Sequence, residues 1–361
     1  MRNKIQMSFD ELPESAHISL RDSLIEHISH ITVDTNPIMI NQLCLALANL
    51  VLLMASWQKP VESLLEKFSS NPDSVHPLIV TLTFIPEEID SRYLRLGDNR
   101  RKQIQKELEN CSPTMLNFLQ TCLMNSENGG RMQSDIIKCF TAWIQINCIK
   151  LSDIAGSVVF SYAFQLLTSV NTNVNQMDVA ADCICAVLQS INLETTTPEL
   201  EKSIFCGILS LEDAYSASVG YEDSDKSMNL CRIFTVMAET FLSRMIHDSS
   251  HTEPHYTLKA LDLLLNCVGH YDFEVAQITF NVWYKLSEDL YHKNDLVLSK
   301  HFKPYVERLI ESLYKHCQLD CDHEGLFDHG DSFQVKVRTL LTRLFSIKFV
   351  LLTCCLYFDL F

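Results

Sequence analysis

The densest grouping of chemically capable side chains is Asp320-Cys321-Asp322-His323-Glu324-Gly325-Leu326-Phe327-Asp328-His329-Gly330-Asp331. It sets Asp320, Asp322, Glu324, Asp328 and Asp331 at positions 1, 3, 5, 9 and 12, with Gly325 at position 6. Hard oxygen ligands at this spacing, around a glycine that permits a sharp turn, are what a calcium loop between two helices requires. Position 12 is Asp, which is shorter than the Glu that grips calcium with both oxygens, and the chain has no partner loop. Cys317, Cys321, His323 and His329 form a softer set, but C-x3-C-x-H-x5-H is not a standard zinc-finger spacing. No metal or cofactor is expected. The reading that uses the charge alone is an acidic inter-helix loop whose five carboxylates meet lysines and arginines of a partner. A solvated linker would carry the same charge with no partner.

Other groupings are explained by structure. Glu222, Asp223 and Asp225 read as turn and helix-capping residues, and Glu87-Glu88 after Pro86 reads the same way. Arg92, Arg95, Arg100, Arg101 and Lys102 are a basic stretch in an acidic chain and are expected to pair with carboxylates of neighbouring helices. Trp57, Trp143 and Trp283 lie on apolar stripes and read as core. His27 and His30 have no carboxylate-rich motif around them. The sequence contains no G-x-x-x-x-G-K-[ST], G-x-G-x-x-G, G-x-S-x-G or H-E-x-x-H. No catalytic residue is assigned, and the chain reads as a non-enzyme.

The elements that must carry these residues are helical. Apolar residues recur at three- and four-residue spacing almost throughout. This predicts helices over 15–31, 37–57, 59–69, 75–84, 98–109, 113–124, 132–147, 157–169, 175–191, 198–218, 226–247, 255–268, 272–292, 298–316 and 332–352. Only 9 glycines occur in 361 residues, too few for the turns of a β-sandwich or the phosphate loops of a nucleotide-binding α/β fold. The length also exceeds what one compact core of about 250–300 residues supports. Three helices superpose: Ser134–Ile146, Asp178–Ser190 and Glu274–Leu286, whose starts lie 44 and 96 residues apart. Phe140, Ile184 and Phe280 then coincide, as do Ala142, Ala186 and Val282, and Trp143, Val187 and Trp283. A helix pair about every 40–47 residues is the HEAT/armadillo period. A lone pair cannot bury its stripe, whereas stacked pairs can. The expected fold is all-α, an α-solenoid of HEAT/armadillo-like repeats over residues 1–338, with a divergent apolar tail over 339–361.

Charge narrows the partners. The net charge is −16, which repels nucleic acid and anionic membranes and attracts basic proteins. Fourteen cysteines in a chain with no apolar leader, many at apolar helical positions such as Cys44, Cys139, Cys183 and Cys267, read as reduced core residues of a cytosolic or nuclear protein. The segment Thr339–Phe361 is strongly apolar, but its uninterrupted run from Phe349 to Phe358 is ten residues against the ~20 a spanning helix needs. Charges at the centre of such a span cost about 2.5–3.5 kcal/mol each, so no membrane anchor is expected.

Several stretches together resemble the transportin-SR branch of the importin-β karyopherins: KIQMSFDELPESAHISLRDSLIEHI (Lys4–Ile28), QLCLALANLVLLMASW (Gln42–Trp57), FIPEEIDSRYLRLGDNRR (Phe84–Arg101), AADCICAVLQSI (Ala180–Ile191), NLCRIFTVMAETFL (Asn229–Leu242), FEVAQITFNVWYKLSEDLY (Phe273–Tyr291) and HCQLDCDHEG (His316–Gly325). The resemblance implies a HEAT-repeat superhelix that carries serine/arginine-rich splicing factors into the nucleus. It also implies release by the GTP form of the GTPase Ran, contact with phenylalanine-glycine nucleoporins, and shuttling between cytoplasm and nucleus. It further implies that the Asp320–Asp331 loop couples Ran binding to cargo release. Measured against the family, the likeness starts one repeat late and stops near Val337, so a fragment or short isoform is expected. A static HEAT-repeat scaffold and a transport-incompetent fragment are the alternatives.

Overall fold

A computed structural model describes residues 9, 12–32, 34–94, 96–126, 130–170, 172–248 and 256–316. Among them the regular structure is helical, with no strand. The chain divides into two units, Met1–Thr196 and Thr197–Phe361.

The first unit holds nine helices among the described residues: α1 (Glu14–Ser29), α2 (Pro37–Leu53), α3 (Pro60–Phe68), α4 (Pro72–Ile89), α5 (Asp98–Asn125), α6 (Arg131–Gln145), the short α7 (Leu151–Ala155), α8 (Val158–Thr168) and α9 (Val174–Ser190). They form two layers. Helices α2, α4, α6 and α9 pack side by side in chain order, and α1, α3, α5 and α8 back them as pair partners. Starts are set by local chemistry. Asn36, Asn71, Ser157 and Asn173 cap α2, α4, α8 and α9 with their side-chain oxygens, and Pro37 and Pro72 fill first-turn positions where no N–H is needed.

The second unit holds α10 (Pro198–Leu209), α11 (Glu212–Gly220), α12 (Ser224–Asp248), a 3-10 turn (Tyr256–Leu258), α13 (Lys259–Val268), α14 (Phe273–Ile278), α15 (Phe280–Lys293) and α16 (Leu296–His316). Here α12 packs against α10, α13, α14 and α15, and α13 packs against α16. The stacked helix pairs expected from the period are present. Phe140, Ile184, Phe280, Ala142, Ala186, Val282, Trp143, Val187 and Trp283 are all buried. No described helix is long and apolar enough to cross a membrane.

Helix α2 stops at Leu53 rather than 57, α4 starts at Pro72 rather than 75, and α7 is not among the expected helices. Four further differences each accompany a carbonyl with a side-chain partner. The helices expected over 98–109 and 113–124 are one, because Ser112 Oγ donates at 2.9 Å to the Glu109 carbonyl that Pro113 leaves without an N–H donor. Helix α4 runs past Pro86 to Ile89 instead of stopping at 84. Pro86 frees the Leu82 carbonyl, and Trp143 Nε1 of α6 donates to it at 2.9 Å. The stretch 198–218 breaks after Leu209, where Ser210 Oγ back-bonds to Gly207 O at 2.6 Å. The stretch 272–292 breaks at the buried Thr279, whose Oγ1 donates to Ala276 O at 2.9 Å.

Candidate partner-binding surface

Helices α4 and α6 are each flanked by layer neighbours and backed by the other layer, so one strip of each stays uncovered. On α4 that strip runs through Asp73, His76, Thr83, Glu87 and Glu88, and on α6 through Arg131, Asp135 and Lys138. Asp178 and Asp182, one turn apart, are exposed on α9. Six carboxylates thus stand against two permanent cations.

Asp135 is the anchored member. Its carboxylate is 16% exposed and meets His76 Nε2 at 3.1 Å, Arg131 Nε at 3.7 Å and Lys138 Nζ at 3.9 Å. Glu87 behaves differently: burial, then the Glu88 charge, pushes its carboxyl above the ordinary range, with Lys138 acting against both. Glu87 and Glu88 occupy the last turn of α4, where the helix dipole is negative, and not a capping position at a helix start as their sequence suggests.

The second unit holds its charges in lateral pairs. Glu239 of α12 accepts from Asn281 Nδ2 at 2.7 Å and Lys285 Nζ at 3.0 Å of α15. Arg308 of α16 bonds Asp262 of α13 at 2.6 Å. Tyr284 donates to Glu288 at 2.7 Å, and that bond raises the phenol above its usual range. Asp223 caps α12 by accepting from Lys226 N at 3.0 Å, as its sequence position suggests.

The basic stretch divides. Arg101 meets Asp90 at 3.7 Å, a carboxylate of the preceding helix end. Arg100 meets Glu107 of its own helix at 3.8 Å and also donates to backbone: Nε to Leu52 O at 3.0 Å, and Nη2 to Val51 O at 3.2 Å and Met54 O at 3.5 Å. It closes the carbonyl end of α2, a role its spacing could not show because helix and cap lie 46–49 residues apart. Arg95 lies outside the described residues. Beside Arg101 a polar cleft of about 410 Å³ is lined by Asp90, Asp98, Lys102, Gln105 and Asn147.

Most of the described thiols are core groups, with Cys206 exposed and Cys122 half-buried. Burial pushes Cys44, Cys111, Cys139, Cys148 and Cys183 up to about 12, so they stay protonated and unreactive near neutral pH. Trp57 is buried with the Arg21 guanidinium 5.5 Å from its ring centre, and Trp143 and Trp283 are buried as expected. Among the described residues no group of three or more His, Cys, Asp or Glu converges as a metal would need. The acidic segment Asp320, Asp322, Glu324, Asp328 and Asp331, the cysteines and histidines within it, the helix expected over 332–352 and the tail 339–361 all lie outside the described residues. The pair His76–Asp135, 59 residues apart, had no local signal in the sequence.

Stacked helix pairs with a charged exposed strip in the first unit define a helical-repeat protein. A family described as exportin 1-like protein matches residues 36–184, and one described as the second TPR domain of transportin-3/importin-13 matches residues 222–316. Importin-13 of Mus musculus is 21% identical over 351 residues, covering 92% of this chain and 35% of the relative. Transportin MOS14 of Arabidopsis thaliana is 25% identical over 297 residues, covering 79% of this chain and 29% of the relative. The mRNA transport regulator MTR10 of Saccharomyces cerevisiae is 22% identical over 351 residues, with coverage of 92% and 35%. Over both helical units the chain is thus similar to importin- and transportin-type proteins. It spans about a third of the length of the curated relatives it matches.

Proposed function

We propose that this chain is a nuclear transport receptor, or the part of one, that grips basic protein partners and answers to the GTP form of Ran. The observation that carries this reading is the family likeness extending through both helical units, joined to an acidic exposed strip in the first. Within the family we favour the transportin-SR branch, with serine/arginine-rich splicing factors as cargo, phenylalanine-glycine nucleoporins as contacts at the pore, and shuttling between cytoplasm and nucleus. Arginine-rich cargo and an acidic receptor are electrostatically complementary, which steers encounter more than it sets affinity. Asp320, Asp322, Glu324, Asp328 and Asp331 are proposed as a loop offering carboxylates to Ran or cargo.

A pull-down with Ran loaded with GTP or GDP tests the reading. Preferential recovery of the GTP form is expected; equal recovery, or none, would leave a static scaffold or a fragment without transport activity. Neutralising the loop as D320N/D322N/E324Q/D328N/D331N should weaken capture of the GTP form. Unchanged capture would remove the loop's role. Calorimetric titration with calcium should show no heat; a saturable heat would reassign the loop as an ion site.

A further inference from the structure

The turn between α13 and α14 is fastened by a histidine used in an unusual sense. His270 is 2% exposed. Its Nδ1 accepts the backbone N–H of Asp272 at 2.9 Å, and Asp272 in turn caps α14 by accepting from Glu274 N at 2.9 Å. A backbone N–H cannot give up its proton, so it fixes the imidazole tautomer: Nδ1 presents its lone pair and Nε2 carries the hydrogen. Nε2 is enclosed and meets no acceptor among the described residues. The ring stacks on Tyr271, with centroids 4.3 Å apart, and lies 6.2 Å from the ring of Tyr215 on α11.

The titratable groups around this ring are few. Tyr215 faces it from α11, with Cys267 of α13 and Cys231 of α12 beside that phenol. Tyr271 and Asp272 belong to the turn itself, and His316 comes from the end of α16. Asp272 is the one carboxylate among them. His316 donates to the Val268 carbonyl through Nε2.

We propose that His270 is an acid-sensitive latch on the α13–α14 turn: the neutral ring holds the first turn of α14 by accepting the Asp272 N–H, and protonation releases it. The incoming proton has only Nδ1 to occupy, which turns the acceptor into a second donor facing an N–H. It also places a cation in an enclosed site beside His316. Burial, and then the histidine neighbour, hold His270 below its ordinary value against the pull of Asp272. The sign follows: a depressed histidine stabilises the folded turn fully above the unfolded-state value, and that stabilisation is lost as pH falls below it. What loosens is α14, with its packing on α12 and α13 and the ring contact of Phe273 with His316.

Hydrogen exchange on the full chain, read on peptides covering residues 269–278 and corrected for intrinsic rates, tests the latch at about pH 7.5 and about pH 5.5. Wild type should lose protection several-fold at the lower pH. H270Q, which can accept the same N–H but does not titrate, should show no such loss, and H316Q, by easing protonation of His270, should move the wild-type loss of protection to higher pH. Equal protection at both pH values in wild type, or the same loss in H270Q, overturns the proposal. Should H270Q not fold, the His270 ring resonances of wild type decide. A midpoint below 6.5 that coincides with the loss of protection supports the latch, and one at or above 6.5 removes it.

Discussion

Trp143 and Trp283 hold the same place in two superposable repeats, one in each unit, and only Trp143 is hydrogen bonded. Trp143 Nε1 donates to Leu82 O, the carbonyl that Pro86 strips of its helical donor. Trp283 Nε1 has no partner among the described residues. The helix it packs on, α12, contains no proline, so its carbonyls are engaged along the helix. A proline inside a buried helix is thus not only a defect; it opens an acceptor that the next repeat can use. The same contrast runs through the ties within each unit. Unit 1 adds side chains on freed or terminal carbonyls, as in Trp143 to Leu82 and Arg100 to the end of α2, to side-chain pairs such as His76 with Asp135 and Arg101 with Asp90. Unit 2 leans on side-chain pairs, Arg244 with Glu201, Lys285 with Glu239, and Arg308 with Asp262, beside the His316 bond to Val268 O. Carbonyl caps resist salt and pH, whereas exposed ion pairs contribute about 0–1 kcal/mol and are screened.

The largest effect is expected at Arg100. Arg100→Ala leaves the Val51 and Leu52 carbonyls at the end of α2 without a donor, while Met54 O keeps the Trp57 N–H, and should cost about 2–3 kcal/mol. Denaturant unfolding followed through Trp57 and Trp143, which report unit 1, should show it; a loss under about 0.5 kcal/mol would erase the cap as a tie. Next is Arg244→Ala, which leaves Glu201, with a side chain 4% exposed, facing no guanidinium. Because Arg244 itself is about a third exposed, the full buried-pair penalty is discounted to about 2 kcal/mol. Trp283 emission should report it while the unit 1 signal stays fixed.

The comparison of the two indoles is sharpest in a cycle. Trp143→Phe should cost about 1–2 kcal/mol, since it orphans a buried carbonyl, and Trp283→Phe about 0.5 kcal/mol or less. In a Pro86→Ala background the N–H of residue 86 reoccupies Leu82 O, so the Trp143→Phe cost should shrink by about 1 kcal/mol. Equal costs in both backgrounds would break the link between proline and indole. The smallest effect belongs to Glu87→Gln, expected to stabilise unit 1 by about 0.5 kcal/mol by removing a negative charge from the last turn of α4. The folded state holds the Glu87 proton more tightly than the unfolded chain does. Wild-type stability therefore declines as pH rises through the window above the carboxyl's ordinary value, and that component of the slope should vanish in the variant.

Much of the fold was legible because each repeat buries one stripe, and a 3.6-residue stripe is a local property of sequence. Asn36 and Asp223 announce helix starts through side chains that reach only two or three residues ahead, whereas the start that Asn71 caps was expected three residues later. Other misread boundaries involve a carbonyl with a non-local or side-chain partner: Leu82 with Trp143, and Glu109 with Ser112. Glu87 and Glu88 were misread for the same reason, because once α4 runs past Pro86 they close a helix they were expected to cap. The acidic segment Asp320–Asp331 stood out by spacing alone, and its surroundings lie beyond the described residues.

The sequence by itself determined the helical class, the repeat period, the burial of Phe140, Trp143 and Trp283, and the acidic sign of the chain, since these follow from composition and from residues within a turn or two of each other. Only the tertiary structure decided that Arg100 caps a helix 46–49 residues away, that His76 and Asp135 share the exposed strip, and that His270 fastens a turn with its lone pair. Hydrogen-bond direction and charge neighbourhood depend on which repeats lie side by side, and no spacing along the chain encodes that.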